Sequence, residues 1–101
     1  MENKKTIITK NYADLVEHTI STLHLSYSEI KMKYANYPLC VSNYFENGVE
    51  NKFIEIRFDK DEASITCTFD DAENCDFVHL FLDSNEIARG LILYLKCHHL
   101  L

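Results

Sequence analysis

Between Phe53 and Leu82 the chain alternates apolar and polar positions with the two-residue period of half-buried strands. Phe53–Phe58 sets Ile54, Ile56 and Phe58 on one face and Glu55 and Arg57 on the other. Ser64–Phe69 repeats the pattern with Ile65, Cys67 and Phe69. Phe77–Leu82 is apolar on nearly both faces, as expected of a strand covered twice or placed at an interface. The pattern then changes to a helical stripe of Ile87, Leu91, Tyr94, Leu95 and His98, widened by Ile92 and Leu93. Asp83 stands in an N-cap position with Glu86 three residues on, the spacing of a capping box.

Upstream, Tyr12, Leu15, Val16, Ile20 and Leu23 predict a helix over about 11–23, capped by Asn11, with Asp14, Glu17, His18 and Ser21 opposite. Residues 26–37 support two readings. Ile30, Met32 and Tyr34 alternate with Glu29, Lys31 and Lys33, which predicts a strand, the reading favoured here. Ser26 with Glu29, and the stripe Tyr27, Ile30, Tyr34, Tyr37, fit a helix instead. Pro38 ends either element. Leu39–Phe45 predicts a strand, and Asn47-Gly48 turns it back into the strand around Phe53. Polar stretches at 59–62 and 70–76 make the remaining turns. The expected architecture is a single α+β domain over residues 1–101. An antiparallel meander of four or five strands carries an N-terminal and a C-terminal helix on one face, a two-layer sandwich. Residues 1–9 are expected to form a flexible arm.

Composition supports a globular domain. Hydrophobic residues make up 47% of the 101 residues, with only two glycines and one proline, which excludes intrinsic disorder. No apolar run approaches the roughly 18 residues of a membrane span. The two lysines near the N-terminus lack the apolar stretch of a secretory signal. Cysteines 40, 67, 75 and 97 show no paired spacing, and free thiols in a reducing cytoplasm are the expectation.

The net charge of −6 is concentrated. Glu46 to Asp76 holds ten acidic and three basic residues, a local balance of −7 in a chain otherwise near neutral. In a meander, Glu46, Glu50, Asp70, Asp71, Glu73 and Asp76 gather at one end of the sheet. Asp59, Asp61 and Glu62 gather at the other, near Asp83. Such a surface repels a phosphate backbone, so direct nucleic-acid binding by this face is not expected. It suits a protein with a basic surface, since complementary charge speeds encounter and selects partners. A second candidate interface is apolar: Phe77 and Phe81 on the last strand, with Tyr94 and Leu101 from the last helix. Homodimerisation could use it.

Other chemistries find little support. Asp59-x-Asp61 opens like a calcium loop, but Ser64 stands where glycine is needed and a strand follows. Histidines 18, 24, 79, 98 and 99 and the four cysteines lack the local spacing of zinc sites. Cys75, the one cysteine expected in an exposed loop, sits among carboxylates that disfavour its thiolate. No glycine-rich phosphate loop is present. The expectation is a non-catalytic, cofactor-free, cytoplasmic protein-binding module. By analogy of size and charge it fits an inhibitor or neutraliser, of immunity or mobile-element type, acting on a larger, locally basic, nucleic-acid-handling protein. The alternatives are a secretion-chaperone-like dimer or a small metal-binding or hydrolytic domain.

Overall fold

A computed structural model describes residues 11–100; the expected arm at 1–9 and the interface residue Leu101 lie outside the described residues. Two helices, α1 (Tyr12–Thr22) and α2 (Tyr27–Lys33), precede four strands, β1 (Leu39–Glu46), β2 (Val49–Phe58), β3 (Ala63–Phe69) and β4 (Cys75–Leu82). The helix α3 (Asn85–Cys97) follows. The strands form one antiparallel sheet in sequence order, an up-and-down meander.

The turns explain the order. Asn47 and Gly48 both take positive φ, 54° and 79°, as a two-residue hairpin turn requires. A short 3₁₀ turn, Asp59–Asp61, with Glu62 left-handed at φ 53°, joins β2 to β3. Residues 53–56 of β2 pair with both β1 and β3, whereas 49–52 pair with β1 alone. The outer half of the first hairpin therefore projects past the rest of the sheet.

Over β2, β3 and the start of β4 one face of the sheet is dry. Ile54, Ile56 and Phe58 of β2, Ala63, Ile65 and Cys67 of β3 and Cys75 of β4 are buried with Leu15 of α1 and Ile30 and Tyr34 of α2. Residues 26–37 are thus a correction to the favoured strand. Ser26 Oγ accepts from Glu29 N at 3.1 Å and Glu29 Oε1 accepts from Ser26 N at 2.8 Å, a complete capping box. Helical periodicity buries Ile30 and Tyr34 together and leaves Met32, which a strand would have buried with them, in solvent.

Helix α1 begins at Asn11 as expected, the side chain accepting from Asp14 N at 3.0 Å. Leu15 and Tyr12 of the expected face turn inward, but the rest of that face does not. Ile20 and Leu23 are exposed, while His18 turns inward. His18 lies parallel to Phe58 at 4.5 Å, and its Nδ1 is 2.8 Å from Tyr34 Oη. Tyr34 and Tyr37 close the cluster edge-on. Burial holds the His18 pKa below its ordinary value, so the folded state takes up a proton less readily than the unfolded chain. Stability should be full above the unfolded pKa of about 6.5 and decline as pH falls through it. Urea midpoints at pH 7.5 and 5.5 check this. His18→Gln should flatten the decline, since it removes the titrating ring.

Helix α3 is capped by Ser84, not Asp83: Ser84 Oγ accepts from Ile87 N at 3.2 Å. Asp83 is taken by Arg57, whose two terminal nitrogens donate to it at 2.8 and 2.5 Å. Ile87 and Leu91 are buried as expected, but Leu93 is 63% exposed and Ile92 is exposed beside it. No element of the described chain covers this second side of the helix.

Gly90 marks where α1 meets α3. A Cβ there would overlap the Tyr12 hydroxyl and stand 2.8 Å from Tyr12 Cζ. Tyr12 Oη donates to Ile87 O at 3.3 Å, and its ring tilts against Tyr94 at 6.1 Å. Gly90→Ala, which gains about 1 kcal/mol in an open helix, should here lose about 1 kcal/mol by displacing that ring. In a Tyr12→Ala background the same substitution should stabilise. Chemical denaturation of wild type and the three variants measures the coupling.

Candidate binding surfaces

The acidic turns at 46–51 and 70–76 do fall at one end of the sheet. Glu50, Asp70, Asp71 and Glu73 line a shallow recess there, with Asn51, Lys52 and Phe69. Several of these carboxylates already hold the fold together. Asp70 Oδ1 accepts from Ala72 N at 2.9 Å and Asn74 N at 3.0 Å, which shapes the loop. Glu73 pairs with Lys52 at 2.5 Å, and Lys52 lies 4.8 Å from the Tyr27 ring centroid. Glu50 accepts from Asn43 Nδ2 at 2.8 Å, and Asp76 from Thr68 Oγ1 at 3.2 Å. The side chains of Glu46 and Asp71 are exposed and have no bonded partner among the described residues.

The loop is also tied to the helical layer. His24 N donates to Cys75 O at 2.8 Å, Cys75 N to Leu25 O at 2.7 Å and Tyr27 N to Glu73 O at 2.9 Å. Cys75, expected in an exposed loop, is consequently a fully buried residue of β4. Its thiol meets that of Cys67, and this hydrogen bond with burial pushes the Cys67 thiol up. Cys40, within β1, is exposed, as is Cys97.

At the opposite end Asp59 accepts from Arg57 Nε at 3.0 Å, and Asp61 accepts from Asn11 N at 3.4 Å. Asp83 is engaged by the same Arg57, and Glu62 holds the left-handed turn position. The carboxylates of Asp59, Asp61 and Asp83 secure the turn more than they present charge. The guanidinium, flanked by two of them, is held well above its usual pKa.

The face of the sheet turned away from the helices carries the other candidate residues. Cross-strand register sets Cys40, Glu55, Thr66 and His79 in one row and Ser42, Phe53, Thr68 and Phe77 in the next. Arg57, Ser64 and Phe81 make a third. Along β4 the rings of Phe77, His79 and Phe81 stand one above another, with centroids 4.4 and 5.7 Å apart. Phe77 is 52% and Phe81 53% exposed. Tyr44 and Phe53 form a second ring pair at 6.1 Å towards β1. Carboxylates of Glu46 and Asp76 edge the face and Glu55 stands within it, and Arg57, its one cation among the described residues, is neutralised by Asp59 and Asp83. Tyr94 is half-buried against Tyr12 and His98 on α3, apart from this stripe.

Among the described residues no group of three or more histidine, cysteine or carboxylate side chains is placed to hold a metal ion, and no helix is long and apolar enough to cross a membrane. Compared with known proteins, the chain matches no family model, no curated protein and no solved structure.

Proposed function

We propose that this chain is a non-catalytic, cytoplasmic protein-binding module, an inhibitor or neutraliser of a larger protein with a basic surface. The observation that carries the reading is the row of Phe77, His79 and Phe81 on an uncovered sheet face edged by carboxylates. Aromatic side chains at the centre of a patch supply most of the energy of a protein interface, and a charged rim supplies steering and selection. The neighbouring recess of Glu50, Asp71 and Glu73 extends the same negative sign to the end of the sheet. A basic protein therefore meets complementary charge on approach and apolar rings on contact, whereas a phosphate backbone or an anionic membrane meets repulsion.

The test is partner capture from native lysate with wild type and with Glu46→Lys and Asp71→Lys combined. These carboxylates are exposed, and such charges contribute little to stability. Asp70 and Glu73 are left intact because they shape the loop. The variant should melt as wild type does and associate at least tenfold more slowly with the captured protein. Raising salt from about 0.05 to 0.5 M should reproduce the loss by shortening the screening length. Equal association rates for both proteins across that range would refute electrostatic docking.

A further inference from the structure

We propose that β1 is a dimerisation edge, on which a second copy of this chain pairs antiparallel about a two-fold axis through Asn43, extending the sheet to eight strands. The inference does not depend on the open-face reading, since edge pairing leaves that face uncovered. Among the described residues strand β1 is bonded on one side only. The two-residue turn closes at Glu46 and Val49, and Pro38 O accepts from Arg57 N at 3.0 Å. Even-numbered residues of β1 therefore bond to β2, and Leu39, Val41, Asn43 and Phe45 turn their N–H and C=O groups outward.

Sheet edges in monomeric proteins are blunted by lysine, proline, bulges or covering segments. At β4, the other edge, residues 24–27 bond to the start of the strand, and the ladder is broken by a bulge at Thr68/Phe69. Among the described residues strand β1 has none of these devices: its register with β2 is unbroken, and its only charge is the terminal Glu46.

The strand is also self-complementary. Opposed residues in an antiparallel pair share a face. A two-fold through Asn43 sets Val41 opposite the second copy's Phe45, and Asn43 opposite itself. Phe45 is 72% and Val41 43% exposed, and the helices leave both uncovered, so each would shield the other. Charge does not oppose the arrangement. The two Glu46 side chains would stand six residues apart, about 20 Å at strand spacing and well beyond the screening length of about 8 Å. The interface lies at the small end of specific contacts, which implies a reversible dimer with Kd on the order of 10–100 µM.

Sedimentation velocity of the full chain from about 2 to 300 µM should show a concentration-dependent monomer–dimer equilibrium. Asn43→Pro removes an outward N–H, a change that an edge strand tolerates. Phe45→Lys changes an exposed side chain. Each should keep the wild-type urea midpoint within a narrow margin and weaken the dimer at least tenfold. With Cys40→Ser and Cys97→Ser, Asn43→Cys should yield a disulfide-linked dimer on mild oxidation with oxidised glutathione, because the paired Cα atoms stand about 5.5 Å apart. Val41→Cys in the same background should not. A wild-type chain that stays monomeric at 300 µM would overturn the proposal. So would a dimer that survives both edge variants, or equal cross-linking at 41 and 43.

Discussion

Ile56→Ala should destabilise the protein by about 3–4 kcal/mol, the largest loss expected from a single substitution here. Ile56 is fully buried at the centre of the sheet, between Leu39 of β1 and Ile65 of β3, within the cluster that also holds Leu15, Ile30 and Tyr34. Removing its three outer carbons leaves a cavity that neighbours on paired strands cannot close. A loss of this size is a large share of the 5–15 kcal/mol typical of a small domain. Phe45→Ala on the projecting hairpin is the contrast: a larger side chain is removed from an exposed site, and the loss should stay within about 0.5 kcal/mol at concentrations where the chain is monomeric. Urea denaturation of both variants gives the comparison. Similar losses at the two positions would mean that the helices do not cover the sheet as described.

Phe77→Ser together with Phe81→Ser should weaken partner binding by a factor of about 100 or more and leave the urea midpoint close to wild type. Each ring is about half exposed, so folding recovers only part of its apolar area, and a partner that covers the row recovers the rest. Truncations of central aromatic residues commonly cost 2 kcal/mol or more each in binding. Isothermal titration with the captured partner measures the loss. His79→Ala, between the two, should be intermediate, because it leaves both phenyl rings in place.

The strands were legible because their apolar residues keep a strict two-residue period and because Asn47-Gly48 admits one turn geometry. Asn11 was legible as a cap for the same local reason. What misled was everything that depends on a distant partner. In residues 26–37 the alternation of Ile30, Met32 and Tyr34 imitates a strand, and only the core that receives Ile30 and Tyr34 decides for the helix. Asp83 reads as a cap until Arg57, 26 residues earlier, is seen to claim it. Cys75 reads as a loop residue because its strand pairing depends on a bulge and on bonds from residues 24 and 25. His18 looked polar because its ring partners, Tyr34, Tyr37 and Phe58, come from three separate segments. The acidic end of the sheet was foreseen, but its internal use by Asp70 and Glu73 was not, since side-chain bonds to loop backbone leave no compositional trace. The open face was visible only as a strand apolar on both sides.

Hydroxyl-radical footprinting of the chain, alone and bound to its captured partner, tests the central claim most directly. Met32, highly exposed on the helical layer, serves as an internal reference on the opposite side of the sheet. Binding through the open face should protect Phe77, His79 and Phe81 several-fold and leave Met32 oxidising at its unbound rate. Protection of Met32 with Phe77, His79 and Phe81 unchanged would contradict the account and move the interface to the helices.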